Sequence, residues 1–372
     1  MSFANAMSDD LLYQIALTQI PLIGPVQAKI LLQHCNAEEI FHAKKSFLEK
    51  IEGIGPARAA KVTGFKDFSK AEQEIEFINK YGIKPLFITD DEYPKRLLNC
   101  YDSPTLLYYR GTGDLNAEKM LAVIGTRNHS DYAKQVTEKL IKELAEENVT
   151  IVSGLAYGID GLAHKAALKN NLSTIGVLAH GLDKLYPQEH TSLAKDMIKK
   201  GGGLLTEYAS NTKPDKHNFP TRNRIVAGMC DATLVIETSI KGGSMITAEL
   251  ANSYNRDVFA IPGRINDSKS TGCNYLIKNN KAFLAADTND ILEVMSWQPK
   301  KKPPVKKQKD LFIELSADEK TIFSVLKEKE TVHIDEINAK SGLSSSAVAA
   351  AILSLELQNV IVSLPGKLYQ LT

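Results

Sequence analysis

The 372-residue sequence holds only four cysteines, Cys35, Cys100, Cys230 and Cys273, far apart and without a C-x-x-C pair. That spacing excludes a disulfide scaffold or a zinc ribbon and fits a reducing, cytoplasmic setting. No apolar run approaches the ~20 residues of a membrane span. The first residues carry Asp9 and Asp10 and lack the basic start of a signal peptide. An excess of one charge is missing as well, because 45 Lys+Arg face 44 Asp+Glu for a formal net charge of +1. A globally basic nucleic-acid binder is thereby excluded; a local basic groove is not. H-E-x-x-H, G-x-S-x-G, the P-loop and the G-x-G-x-x-G fingerprint are all absent, so metalloprotease, hydrolase, NTPase and dehydrogenase readings lose their main support.

What is present is a folded chain, 43% hydrophobic and 24% charged. Its length suggests two or three domains at roughly 100–200 residues each. Residues 1–80 read as short helices with a weak repeat: Gly24-Pro25 and Ala28 recur as Gly55-Pro56 and Ala59. Gly53-Ile54-Gly55-Pro56 is the glycine turn of a helix-hairpin-helix, which either seats a phosphate on exposed N–H groups or packs against its twin. In the first copy Leu22 stands where the first glycine belongs, which favours packing there.

Residues 81–298 alternate strand and helix. Leu121–Ile124, Thr150–Val152, Ser173–Leu178, Leu204–Thr206, Ala232–Ile236, Val258–Ile261 and Ala282–Ala285 are strand-like, with amphipathic stretches such as Tyr132–Glu147 between them. Phe87-Ile88 and Leu106–Tyr109 add strands in front. The alternation predicts an α/β fold with a doubly wound, mostly parallel, extended Rossmann-like sheet. Residues 299–310 read as a Lys/Pro-rich linker without an acid before Asp310. Residues 311–372 follow a winged-helix pattern, with a third helix from Ser345 to Leu357 and two strands joined through Pro365-Gly366.

An open parallel sheet binds ligands beyond the carboxyl ends of its strands. Gly125-Thr126-Arg127 follows the first parallel strand and suits an anion, because backbone N–H groups and a guanidinium converge there. Ser153 to Asp160 follows the next strand; Ser153 and Gly154 are the expected ligand neighbours, with Asp160 orienting donors or capping a helix. Lys213 to Arg224 is the most informative stretch, with cations around Phe219 in a proline-bounded loop. Lys216, Arg222, Asn223 and Arg224 are candidates for phosphates, and Phe219 for stacking a base. Alternatively Phe219 plugs the core, and Arg222 and Arg224 pair with carboxylates such as Glu207 or Glu237. Lys241, Gly242, Gly243 and Ser244 form a further phosphate-cradling turn, with Glu249 downstream as either a catalytic acid or a surface residue.

Val123–Arg127, Ser153–Asp160, Phe219–Gly228, Gly242-Gly243-Ser244 with Thr247-Ala248, and Ile261-Pro262-Gly263 occur in one order. Together they resemble the DNA-processing protein A family (DprA, also called Smf) of bacterial natural transformation. The resemblance covers nearly the whole chain. It departs at Thr126, where the family commonly has serine, and at Lys241, where many members have an acidic or small residue. It implies a non-enzymatic recombination mediator with no cofactor. Such a protein binds incoming single-stranded DNA, dimerises, and loads a RecA-type recombinase while countering single-strand-binding protein. It also places the DNA pocket at Gly125-Thr126-Arg127, Lys216 and Phe219. Two other readings compete. The Gly242…Glu249 segment is similar to the PGG-x-G-T-x-x-E motif of phosphoribohydrolases acting on nucleoside monophosphates, although Met245 and Ile246 depart from it. A sequence-specific regulator would use the winged helix, yet the third helix carries no lysine or arginine to read bases.

Overall fold

The computed structural model describes residues 3–297, 315–329, 331–358, 360–364 and 367–371. It divides into two compact units, Met1–Pro299 and Lys300–Thr372. The expected linker and the Pro365-Gly366 connection lie outside the described residues.

The first unit opens with α1 (Phe3–Leu17), α2 (Pro25–Leu32), α3 (Ala37–His42), α4 (Lys45–Leu48), α5 (Gly55–Gly64) and α6 (Ser69–Tyr81). Pro25 and Pro56 occupy the first turns of α2 and α5, where a missing N–H is harmless. The repeated turns share a backbone: Gly53 has φ +84°, and Leu22 at the matching place has φ +67°. A side chain in that left-handed region costs roughly 1–2 kcal/mol. The turns are tied by Arg58, which donates to Leu22 O (3.3 Å) and Gly53 O (3.1 Å). Both hairpins thus pack as one module around Ile15, Leu31, Ile40, Leu48 and Val62, all fully buried.

Their core continues into Phe87, Leu106 and Tyr108 at the edge of the sheet. Two polar joints fasten the seam. The buried Glu74 carboxylate of α6 accepts from Ser210 N–H (2.9 Å) and Oγ–H (2.5 Å). Lys29 of α2 donates to Cys100 O (3.0 Å) and Ser103 Oγ (3.1 Å).

The sheet contains β1 (Lys84–Phe87), β2 (Leu106–Gly111), β3 (Met120–Ile124), β4 (Thr150–Ser153), β5 (Thr174–Val177), β6 (Gly203–Thr206), β7 (Ala232–Val235), β8 (Asp257–Ala260) and β9 (Phe283–Leu284). Their order is β1-β2-β6-β5-β4-β3-β7-β8-β9. From β6 to β9 every neighbour is parallel, and β1 and β2 form an antiparallel edge. The connections carry α7 (Lys95–Leu98), α8 (Asp131–Leu144), α9 (Ile159–Lys169), α10 (Thr191–Lys199), α11 (Asn218–Gly228), α12 (Gly243–Ser253), α13 (Thr271–Lys278) and α14 (Thr288–Val294).

Strand side chains alternate between faces with period two. Leu121 and Val123 of β3 pack with α8, α9 and α14, while Met120, Ala122 and Ile124 pack with α11, α12 and α13. Helices therefore cover both faces, which is why these strands read as continuous apolar runs.

The second unit holds α15 (Ala317–Leu326), β10 (Val332–His333), α16 (Ile334–Ser341), α17 (Ser345–Leu357), β11 (Ile361–Leu364) and β12 (Leu368–Leu371). The strands pair antiparallel as β10-β12-β11 over a core that includes Ile322, Leu326, Ile337 and Leu355. Ser344 caps α17 by accepting from Ala347 N–H (3.3 Å). This is a winged helix.

Candidate nucleic-acid interface

Strand order reverses between β3 and β7: the chain runs from β3 through β4 to β6 on one side and from β7 to β9 on the other. Loops part at such a switch point and leave a crevice beyond the strand ends. A cleft of about 590 Å³ lies there. Its walls are the loops after β3, β4 and β7 and the start of α11.

The loop after β3 is braced across the crevice. Thr126 N–H donates to Glu237 O (2.6 Å), and the buried Glu237 carboxylate accepts from Ser130 N–H (2.9 Å) and Oγ–H (2.7 Å). Arg127 is left at the rim, its guanidinium 5.5 Å from the centre of the Phe219 ring, a cation–π contact. Lys216 is exposed on the same rim, and Phe219 is half-buried.

On α11, Phe219, Arg222, Asn223 and Val226 follow i, i+3, i+4, i+7 spacing and share the cleft face. Arg222 lies under the floor rather than on the rim. Its guanidinium donates to Gly154 O and Val177 O, and Nε donates to Asn223 Oδ1 (3.1 Å). Burial pulls its pKa down to about 10, with Asp160 opposing. A Cβ on Gly154 would stand 2.5 Å from that guanidinium, so a side chain there would push Arg222 out of its seat. Asp160 accepts from Gly154 N–H (3.1 Å) and Ala156 N–H (3.4 Å). Burial pushes its carboxyl above the usual range, with Arg222 and these N–H groups holding it down in part.

The far wall is the start of α12. Gly242 offers no side-chain cap and the first turn has no acid, so backbone N–H groups and the positive end of the helix dipole face the cleft. Ser244 Oγ–H donates to Thr238 Oγ1 (2.7 Å), which secures the turn. Nothing lies within 4 Å of where a Cβ on Gly243 would stand.

Of the residues expected from sequence, Gly125, Thr126, Arg127, Gly154, Lys216, Phe219, Arg222, Asn223, Gly242, Gly243 and Ser244 line this one cleft. Three others do not. Ser153 is buried and donates to Val123 O (2.6 Å). Lys241 is exposed just before the wall. Arg224 is buried in an ion pair with Glu207 and also donates to Asp102 O. Glu207 is thus the partner anticipated for Arg224, whereas Glu237 serves Ser130. Glu249 stands beside Lys281 (3.7 Å), its side chain 57% exposed, and outside the cleft lining. Thr238 and Ser239, which sequence reasoning passed over, line the cleft directly after β7, where strand-end position alone points to them. Among the described residues no cluster of His, Cys, Asp and Glu could hold a metal ion, and no helix is long and apolar enough to cross a membrane.

Comparison with known proteins agrees with this architecture. The family model for DNA recombination-mediator protein A matches residues 84–296. The models for the DprA winged helix domain and for a SAM-like helix-hairpin-helix tandem match 306–367 and 15–63. Protein Smf of Synechocystis sp. is 32% identical over 96% of this chain and 98% of its own length. DNA processing protein DprA of Streptococcus pneumoniae is 45% identical over 55% of this chain and 72% of its own. The X-ray structure of the pneumococcal protein covers 76% of this chain and 97% of that one, with 36% identity and a TM-score of 0.65. A structure of DNA processing protein A from Helicobacter pylori, described for its single-stranded DNA binding mode, covers 58% of this chain and 96% of that one. It is 31% identical, with a TM-score of 0.52. With its central sheet matched from end to end and both flanking modules in place, this chain belongs to the DNA recombination-mediator protein A family.

Proposed function

We propose that the cleft holds the backbone of single-stranded DNA with a base stacked on Phe219, and that the protein delivers that strand to a RecA-type recombinase. One observation carries the binding reading. Arg127, Lys216 and the uncapped start of α12 converge around an accessible aromatic ring, and Asp160, the carboxylate lining the cleft, is occupied by two backbone N–H groups. Phosphates satisfy the cations and the helix end; a flat apolar base face satisfies the ring. In a duplex the base faces are already stacked, so the ring favours a single strand. Phosphate clamps and one ring read few base edges, so sequence preference is weak.

Family membership and the single-stranded DNA binding mode described for the Helicobacter pylori relative support this reading. The same reading has the protein act in the cytoplasm as a homodimer, against single-strand-binding protein, and by binding rather than catalysis. Glu249, outside the cleft, offers no acid to a phosphoribohydrolase reaction there.

Fluorescence anisotropy with labelled single strands and blunt duplexes, beside a nucleoside-monophosphate hydrolysis assay, tests the binding claim. Preference for the single strand without base release is expected; equal affinities, or release of base, overturn it. For delivery, the expected result is faster assembly of a RecA-type filament on a strand coated with single-strand-binding protein. An unchanged rate overturns that step.

A further inference from the structure

The cleft does not end at Phe219. A slot of only about 10 Å³ over His180 separates it from a second, wider groove of about 990 Å³ beside α10, and Tyr157 and Tyr186 border both slot and groove. These rings are 39% and 44% exposed, so each offers a face to a ligand. Tyr186 lies 5.9 Å from Phe219 between ring centres, tilted by 53°, so the two rings form one bent ledge. The tyrosines are held in place. Tyr186 N–H donates to Nε2 of the buried His180 (3.2 Å), and Tyr157 Oη–H donates to Glu189 (2.7 Å).

The groove beyond is floored by Leu182 and Leu185 and rimmed by Arg110, Lys184 and Lys195. Its acids are engaged already: Asp183 accepts from Asn211 N–H (2.9 Å) and stands beside Lys184 (3.6 Å), and Glu189 holds Tyr157. Among the described residues Arg110 and Lys195 have no carboxylate within ion-pair distance, and both are exposed.

We infer that this groove is a second nucleotide subsite, resting on the single-strand reading of the first cleft. The strand leaves Phe219, lays a base on Tyr186 or Tyr157, and runs its phosphates past Lys195 and Arg110. Continuity selects this ligand over an unrelated small molecule, because the slot shares lining residues with the cleft on one side and with the groove on the other. The chemistry matches throughout: stacking rings on the inside, cations on the rim.

Oligothymidylates of increasing length, titrated against the full chain, test it. Wild-type affinity should rise as the strand grows long enough to reach Tyr186. Tyr186→Ala should remove that gain, lowering affinity for long strands about 5- to 150-fold, the range of one base–aromatic stack, while the shortest binding strands are unaffected. Tyr186→Phe, which keeps the ring, should restore it. Lys195→Glu, on an exposed position where folding is not at stake, should weaken long strands alone. Wild-type affinity at every length in both Tyr186→Ala and Lys195→Glu overturns the subsite while leaving the first cleft standing. Failure of wild type to bind any single strand overturns both readings.

Discussion

Arg222 and Arg224 sit two positions apart in one cationic stretch, and the fold gives them different work. On α11, position 222 lies with Phe219 and Asn223 on the cleft face, while 224 turns about 200° from 222 and meets Glu207 instead. The basic character of the stretch was legible in the sequence. The separation needed the start of α11, after which helical spacing alone divides the residues. Removing Arg224 strands a buried carboxylate, so Arg224→Ala should cost about 3–5 kcal/mol in urea unfolding. Lys216→Ala should leave unfolding unchanged and weaken strand binding. A stable Arg224→Ala that fails to bind would reverse the assignment. Gly243 offers a cleaner probe. A carboxylate in the first turn of a helix is favourable by roughly 0.3–1 kcal/mol, and nothing lies within 4 Å of the new Cβ. Gly243→Asp should therefore keep or raise the Tm while lowering single-strand affinity about tenfold or more by like-charge repulsion. Unchanged affinity would move the phosphates away from α12.

At the scale of elements, the strands between residues 120 and 261 lie within one residue of the apolar runs that mark them, because each strand is buried on both faces and flanked by turn residues. The seam between the helical module and the sheet was not legible. Glu74 and Ser210 are 136 residues apart, and no local pattern announces that a glutamate on an amphipathic helix will be buried against a distant loop. That joint secures the loop leading to Lys216. A fragment beginning at 81 would bare Phe87, Leu106 and Tyr108. Residues 81–298 alone should melt below residues 1–298, while still carrying every residue that lines the cleft. An equal Tm for the two fragments would contradict the shared core. Acid should act on another seam. His164 of α9 is buried against Thr174 of β5 (2.7 Å), and burial, chiefly, brings its pKa down to about 3. The folded state resists a proton that the unfolded chain accepts near pH 6.5, so this contribution is whole above about pH 6.5 and is lost as pH falls toward 3. The Tm of the wild type should fall through that window, and His164→Gln should flatten the fall; an identical pH profile would place the acid sensitivity elsewhere.

For the whole molecule, balanced net charge conceals a division of labour. The cations proposed to meet DNA sit at the central cleft, whereas residues 311–372 carry five lysines against eight acids. Lys329 and Lys340 of that winged helix are themselves spent on Glu336 and Glu328. The exposed face of α17 presents Ser346, Ala349, Ala350, Leu353 and Leu357, with no cation to neutralise a phosphate or reach a base edge. Residues 311–372 alone should not bind duplex DNA at physiological salt; tight, salt-sensitive binding by that fragment would contradict this, and binding only by 298–372 would assign the interaction to the lysine-rich segment. On the function proposed above, phosphates of a single strand lie between Arg127, Lys216 and the start of α12. The salt dependence of single-strand affinity for wild type, Arg127→Ala and Lys216→Ala decides whether they do. Each substitution should weaken binding and make the log–log slope shallower by about 0.7 for every phosphate the variant no longer neutralises. Slopes and affinities equal to wild type in both variants would contradict it.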